Sequence, residues 1–489
     1  MTPAAQPVNF LLFITDQHRA DHVGAYGNRV VRTPNLDRLA AGGWRADNMH
    51  VATPICMPNR ASLMTGRYPS AHGARHNGIA LSLRSRTFVE AMRQAGYGTS
   101  LVGKVHLQNM TDIAPSWPVR AEDRLPHEAV TPDAGRYDQE LRKLWLERDD
   151  HDLSLPYYGF EQVDLVDDHS DDVHGHYRRW LRREYPEVEA MIGPAQATPA
   201  PEYALTQIRQ AWRTRVPEAL YPTAYIADRS IEALRGYAAQ GRPFFMQCSF
   251  PDPHHPFTPP GRFWDMYRPE DMELPASFHA CAAPGHRPPP HVAWLHEQRD
   301  RNQAVKHTPA IFACTEREAR EALALNYGSI ANIDNQIGRV LAELDALGLA
   351  SNTVVIFTSD HGDYLGDHQL MLKGPIHYRG LTRVPFIWRD PASAGRPGAA
   401  SAALLSTIDV APTVLARAGV QPYNGIQGRD MAGLIAGRET ALRDALMIEE
   451  EGQRVILGFD SRIRCRTLLA EGFRATVYDG ARWGELYDL

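Results

Sequence analysis

Cysteine is scarce in this chain: 489 residues hold five, Cys56, Cys248, Cys281, Cys314 and Cys465. Their number is odd, their spacings are wide and no zinc-type pair occurs, which excludes a disulfide framework and a structural zinc motif. Long apolar runs are also missing. Met1 to Asn9 carries no positive n-region, and the run Phe10 to Ile14 is far too short for a signal h-region or a membrane span. The chain therefore reads as cytoplasmic, unless a processed leader is absent. There is no long basic run, and the net charge is −6. That argues against nucleic acid or an anionic membrane as the main partner. An anionic substrate must then be drawn in by a local cluster.

What is present is ordinary for a globular protein: 43% hydrophobic and 22% charged residues. The length points to two domains, or one large domain with an appendage. Past Asp390 the texture turns to Ala, Gly and Pro, which places a boundary between residues 1–390 and 391–489.

Four short apolar runs have the character of strands buried on both faces in a parallel sheet: Phe10–Ile14, Thr99–Gly103, Pro243–Phe250 and Thr353–Ser359. Each runs into polar residues at its carboxyl end, where open α/β sheets bind ligands. Asp16 and Gln17 follow the first. Lys104 and His106 follow the second, on alternate positions that let both point into one pocket. His254 and His255 stand among prolines after the third. Asp360 and His361 follow the fourth, with Lys373 a dozen residues later. Helices are expected over Thr33–Ala40, Thr87–Gly96, Tyr177–Glu184, Tyr225–Ala239, Tyr327–Leu347 and Thr407–Ala418. A further short strand is expected over Val384–Trp388. Leu446–Glu450, Ile463–Thr467 and Arg474–Tyr478 fit a small antiparallel sheet. The run Asp164–His176, dense in Asp and His, reads as a solvated loop near a pocket mouth rather than a metal site. Residues 280–313 read as an excursion over one face, a lid or a subunit contact.

The stretch Thr53–Gly66 ties these parts together. Cys56, Pro58 and Arg60 alternate, and a short helical pattern runs to a Gly stop. Pro58 fits a first helical turn, which puts Cys56 at a helix N-terminus, where backbone N–H groups favour an anion. This signature, with Gly103–His106 and Ser359–Gly362, resembles the type I sulfatases of the alkaline phosphatase superfamily over nearly the whole chain. The resemblance implies an α/β fold: a large mixed, mostly parallel sheet flanked by helices, alkaline-phosphatase-like, with a smaller C-terminal α+β subdomain. It implies that Cys56 is oxidised to formylglycine by a maturase, and that the hydrated aldehyde attacks a sulfate ester. Asp16, Gln17, Asp360 and His361, with residue 56, would hold one divalent cation. Arg60 would activate the nucleophile, and Asn77, Lys104, His106, His254 and Lys373 would bind substrate and move protons. His106 would deprotonate the second hydroxyl; His254 or Lys373 would protonate the leaving oxygen.

Gln17 and His361 depart from the usual Asp and Asn. The same variant occurs near choline-sulfatase-like enzymes and phosphonate monoester hydrolases. An amide for a carboxylate lowers the site charge, and an imidazole moves preference from Ca2+ toward Mn2+; both metals stay open. Asn59 replaces the small residue usual before Arg60. Two rivals stand beside the sulfatase reading: a phosphonate monoester or phosphodiester hydrolase of the same fold, and an inactive relative used for binding. A homo-oligomer is left open. The closing segment Gly484–Leu489 resembles one that relatives follow with more residues.

Overall fold

The structure, a computed structural model, describes residues 7–112, 134–280, 283, 285, 287–306, 311–393 and 397–489. Its main sheet contains β1 (Asn9–Thr15), β2 (Trp44–Ala46), β3 (Gly98–Gly103), β4 (Gln162–Asp167), β5 (His174–Gly175), β6 (Phe244–Phe250), β7 (Thr353–Ser359), β8 (Phe386–Arg389) and β9 (Ala399–Ser401). The spatial order of these nine strands is β9-β2-β8-β7-β1-β6-β3-β4-β5. β1 is central and buried along its whole length. It pairs in parallel with β6, Phe10 opposite Phe245, and with β7, Phe10 opposite Val354. β3 pairs in parallel with β6 and β4. β8 runs antiparallel to β7 and β2, so the sheet is mixed.

The apolar runs have no polar alternation because both faces of the sheet are covered. Phe10, Leu12 and Ile14 point to one side. There they join Leu63 and Met64 of a helix at Cys56–Thr65, Phe88 and Met92 of one at Phe88–Gln94, and Val410 and Val414 of one at Val410–Ala418. Leu11 and Phe13 point to the other side, onto helices at Pro34–Ala41, Pro222–Gln240 and Glu316–Ala346 through Leu36, Ile226 and Ile337. In chain order these six helices, with a seventh at His176–Glu184 whose Tyr177 and Leu181 join the second side, are α1 (Pro34–Ala41), α2 (Cys56–Thr65), α3 (Phe88–Gln94), α4 (His176–Glu184), α5 (Pro222–Gln240), α6 (Glu316–Ala346) and α7 (Val410–Ala418). Each such large side chain contributes roughly 1.5–3 kcal/mol on burial, most of it offset by lost chain entropy.

α6 begins eleven residues before the helix expected from periodicity (327 less 316). A capping box of Thr315 and Glu318 starts it, and Ala322 and Leu323 of the added turns pack in a third apolar cluster with Phe263 and Trp264.

Residues 445–451, 464–470, 473–478 and 484–488 form a four-stranded antiparallel sheet, β10 (Ala445–Glu451), β11 (Arg464–Ala470), β12 (Phe473–Tyr478) and β13 (Gly484–Asp488). The fourth strand is the chain's closing segment, which sequence pattern did not mark as a strand. Two expectations on loops are corrected. Residues 290–300 are a helix, with Val292 and Leu295 buried against Ile463, Cys465 and Tyr478. They pack in a core rather than forming a loose excursion; Cys281 and residues 307–310 lie outside the described residues. The run Asp164–His176 is not a solvated loop. It holds the end of β4 and all of β5, and Asp167, Asp171 and His174 are fully buried. Among the described residues no helix is long and apolar enough to cross a membrane.

Candidate active site

Five adjacent strands in the order β7-β1-β6-β3-β4 end at one edge, and each delivers polar side chains there. Asp16 and Gln17 leave β1, Lys104 and His106 leave β3, His169 leaves β4, His254 and His255 leave β6, and Asp360 and His361 leave β7. The close spacing depends on Gly103. Its φ is +111°, and a Cβ there would lie 1.8 Å from the Ser249 carbonyl oxygen; only glycine fits. Lys104 N–H then donates to that carbonyl at 3.0 Å.

Helix α2 brings the remaining groups. Cys56 is its first residue, Pro58 lies in its first turn, and Gly66 ends it in the left-handed conformation, its N–H bonded to Ser62 O at 2.8 Å. Asn59 fixes the helix in place. Its amide nitrogen donates to the Asp360 carbonyl, and its Oδ1 accepts from Ala52 N–H at 3.1 Å and Thr407 Oγ1 at 2.8 Å. Arg60, one turn past Cys56, is 2% exposed. It gives Nε to Asp360 Oδ2 at 2.8 Å and Nη1 to Lys104 O and Ser249 Oγ, both at 3.0 Å.

Around the Cys56 sulfur stand His361 Nε2 at 3.1 Å, Asp16 Oδ1 at 3.7 Å and Lys373 Nζ at 2.8 Å. Lys373 Nζ also reaches His254 Nε2 at 2.8 Å. Lys104 Nζ meets Asp16 Oδ2 at 2.7 Å and His169 Nε2 at 2.8 Å. His169 and His254 stack with ring centres 3.5 Å apart. Gln17 donates through Nε2 to His255 Nδ1 at 2.8 Å and to Asp363, while its Oε1 is buried without a hydrogen-bond partner among the described residues. Asn77 accepts Met57 N–H at 3.3 Å and lines the cavity. Cys56, His106, His169, His254 and Lys373 of this cluster line a cavity of about 330 Å³, whose wall includes Asn109, Met110, Asp168, Pro375, residues 450–454 and Ile456. None of the described residues between 280 and 313 lines it.

The charges are strongly coupled. Burial pushes the Cys56 thiol up, but Lys373 and His361 outweigh it and hold the thiol well below its usual range. Burial and Cys56 raise Asp16, and Lys104, with a hydrogen bond from His169, more than compensates, so it stays ionised. Burial and the Asp16 charge push Asp360 up. Burial, with His169 and Lys373 nearby, holds His254 well below 6.5, so its imidazole is neutral. Burial and Lys104 lower His169, yet hydrogen bonds to Asp16, Asp168 and Cys56 raise it to about 9.

Asp16, Cys56, Asp360 and His361 each offer a ligand atom, all within 4.8 Å of one another and all buried. Two carboxylates forced together in a low-dielectric site, with Gln17 Oε1 lacking a partner beside them, are a donor set that fits a divalent cation. The structure thus brings together every residue singled out in the sequence. It adds His169 and Asp363, which sequence pattern had not separated from surrounding acids.

One neighbour gives a pH test. Asp252, before His254, carries a carboxyl that burial pushes up to about 7 despite a 2.6 Å hydrogen bond from Thr223 Oγ1. Its stabilising contribution is complete below the unfolded value of roughly 3.9 and is lost as pH rises through about 7. Asp252→Asn, which imitates the protonated acid, is expected to gain on the wild type by about 1.4 kcal/mol per pH unit across that interval. Urea titrations of both proteins at pH 5 and pH 8 check this; a constant difference refutes it.

Comparison with known proteins agrees with this geometry. The sulfatase family model matches residues 8–420. The chain is 29% identical over 440 residues to an arylsulfatase of Clostridium perfringens, covering 89% of this chain and 80% of that one. It is 29% identical over 458 residues to a multifunctional alkaline phosphatase superfamily protein of Trinickia caryophylli, covering 90% and 80%. A phosphonate monoester hydrolase of Agrobacterium radiobacter superposes with a TM-score of 0.73 at 26% identity, covering 98% of this chain and 89% of that one. With matched family residues running from β1 past α7, and with acidic strand ends meeting a helix-borne cysteine, the chain belongs to the sulfatase family and is a sulfuric ester hydrolase.

Proposed function

We propose that the protein hydrolyses sulfate monoesters in the manner of an arylsulfatase, with residue 56, after oxidation to formylglycine, as nucleophile. The observation that carries this reading is the Cys56 sulfur at the floor of an open cavity, within 3.7 Å of Asp16, His361 and Lys373. Formylglycine supplies, when hydrated, one hydroxyl for attack and a second whose deprotonation releases sulfate. A divalent cation, Ca2+ or Mn2+, held by Asp16, Gln17, Asp360, His361 and residue 56, supplies Lewis-acid stabilisation.

The chain's own groups do the rest. Arg60 spans Asp360, Lys104 O and Ser249, and so fixes the acidic corner to the strand ends. Lys104 and His106 face the place where charge grows on the transferred group. Neutral His254 accepts a hydrogen bond from Lys373 Nζ at 2.8 Å. That bond orients Lys373 toward the leaving oxygen, making Lys373 the proton donor and His254 its positioning partner. His106 lines the same cavity as residue 56 and takes the proton of the second hydroxyl. A formylglycine-generating maturase is then a required partner.

Gln17 and His361 favour a second reading, hydrolysis of phosphonate monoesters. Enzyme whose formylglycine content is verified by the mass of the tryptic peptide around residue 56 is expected to turn over an aryl sulfate at least about tenfold faster in kcat/KM than the matching aryl phosphonate, tenfold being about 1.4 kcal/mol in the barrier. Dialysis against a chelator is expected to remove most of that activity. Faster turnover of the phosphonate supports the second reading. Unmodified Cys56 from a competent host, with no bound metal, supports an inactive binding relative.

A further inference from the structure

The cavity wall above residue 56 carries three acids and one guanidinium, and they are unequally matched. Asp168 is held by Arg142 Nη1 at 2.8 Å and His169 Nδ1 at 3.2 Å. Glu450 is bonded to His377 Nε2 at 2.9 Å. Glu451 faces Arg75 Nε at 3.3 Å and Arg466 Nη2 at 3.5 Å. Each acid therefore has its own hydrogen-bonding partner. Arg454, on the connection between β10 and β11, lines the same cavity with no ion pair among the described residues, and its Nε is buried without a hydrogen-bond partner.

Burial alone holds the Arg454 guanidinium below the ordinary arginine range, and no carboxylate among the described residues offsets it. A partly desolvated cation without a counter-ion is costly and is retained where something anionic arrives to meet it. The sulfate group does not need Arg454. Lys104 and Lys373 already stand at the reaction centre, bonded to Asp16 and Cys56. Ile55, Met110, Pro375 and Ile456 add apolar surface to the same cavity.

We infer that Arg454 receives a second anionic group on the alcohol part of the substrate, so that the preferred substrates are sulfate esters of acidic alcohols, bearing a carboxylate or a further sulfate. The guanidinium fork matches either oxyanion with two parallel hydrogen bonds. This inference rests on the sulfate-ester reading above.

The test compares 4-carboxyphenyl sulfate with 4-carbamoylphenyl sulfate, which share a shape and differ in charge. The carbamoyl compound has the better leaving group, so intrinsic reactivity works against the expected order. Wild-type kcat/KM is expected to favour the carboxylate by roughly tenfold, as one charge-assisted hydrogen-bonded pair provides. Arg454→Gln is expected to bring the ratio to one or below, and Arg454→Lys to restore part of it. A ratio of two substrates is independent of how much of a variant folds. Benzene-1,4-disulfate against 4-hydroxyphenyl sulfate, assayed in the same way, separates a second sulfate from a carboxylate. Turnover of both compounds of each pair without a preference, or a preference that survives Arg454→Gln, overturns the inference and leaves the sulfatase reading intact. No turnover of any of the four by enzyme of verified formylglycine content overturns that reading, and the inference with it.

Discussion

Cys56→Ala is expected to lower turnover of an aryl sulfate by at least about 10,000-fold while leaving the fold in place. Knocking out a nucleophile removes the covalent route altogether, and what survives comes from binding and electrostatics alone. Cys56→Ser should fail almost as badly, because a serine ester lacks the second hydroxyl that would release sulfate. The fold should tolerate the change. Lys373 keeps His254 at 2.8 Å, and Asp16 keeps Lys104 at 2.7 Å, so no charge at the site loses its last partner. The measurement is kcat with metal content and thermal midpoint in parallel. Residual activity above 1% of wild type, with a normal midpoint, would place the nucleophile elsewhere.

The largest stability effect is expected from Arg60→Ala, about 3–5 kcal/mol, since breaking a buried ion pair strands the partner charge. Arg60 is 2% exposed, and its removal deprives Asp360 Oδ2, the Lys104 carbonyl and Ser249 Oγ of one donor each. Lysine at this position keeps the charge but has a single point of contact, so Arg60→Lys should recover less than half of the loss. Urea unfolding should show a lower midpoint with an unchanged slope. The deficit should widen after chelator treatment, because the cation proposed for this site would share the charge on Asp360. An unshifted midpoint in both conditions refutes the role given to this pair.

Much of the site was legible because β1, β3, β6 and β7 are buried on both faces and end abruptly in charged or strongly polar residues. An uninterrupted run such as Thr353–Ser359 followed by Asp360 and His361 carries its own boundary. β4 was missed for the opposite reason. It lies near the sheet's edge, its Asp164 and Val163 are half-buried, and its composition matches the acidic turn that follows. Nothing local separates His169, which reaches Lys104 across 65 positions, from its neighbours in that run. The same holds for Asp363, whose contact with Gln17 spans 346 positions. The pocket wall from residues 450–456 was hidden because alternation along β10 reports a small antiparallel sheet and says nothing of what that sheet leans over. Asn59 looked like a blemish in the cysteine motif. Its three hydrogen bonds make it a tether between α2, the Asp360 backbone and Thr407.

The connection from β10 to β11 reaches back over residue 56 from a sheet that supplies none of the strand-end groups. On the Arg454 assignment inferred above, part of the choice of alcohol would be made outside the strand ends that carry the reacting groups. A change confined to this connection would then alter which alcohol is accepted while leaving the strand-end groups in place. Exchanging that segment between family members is accordingly a route to new ester specificities.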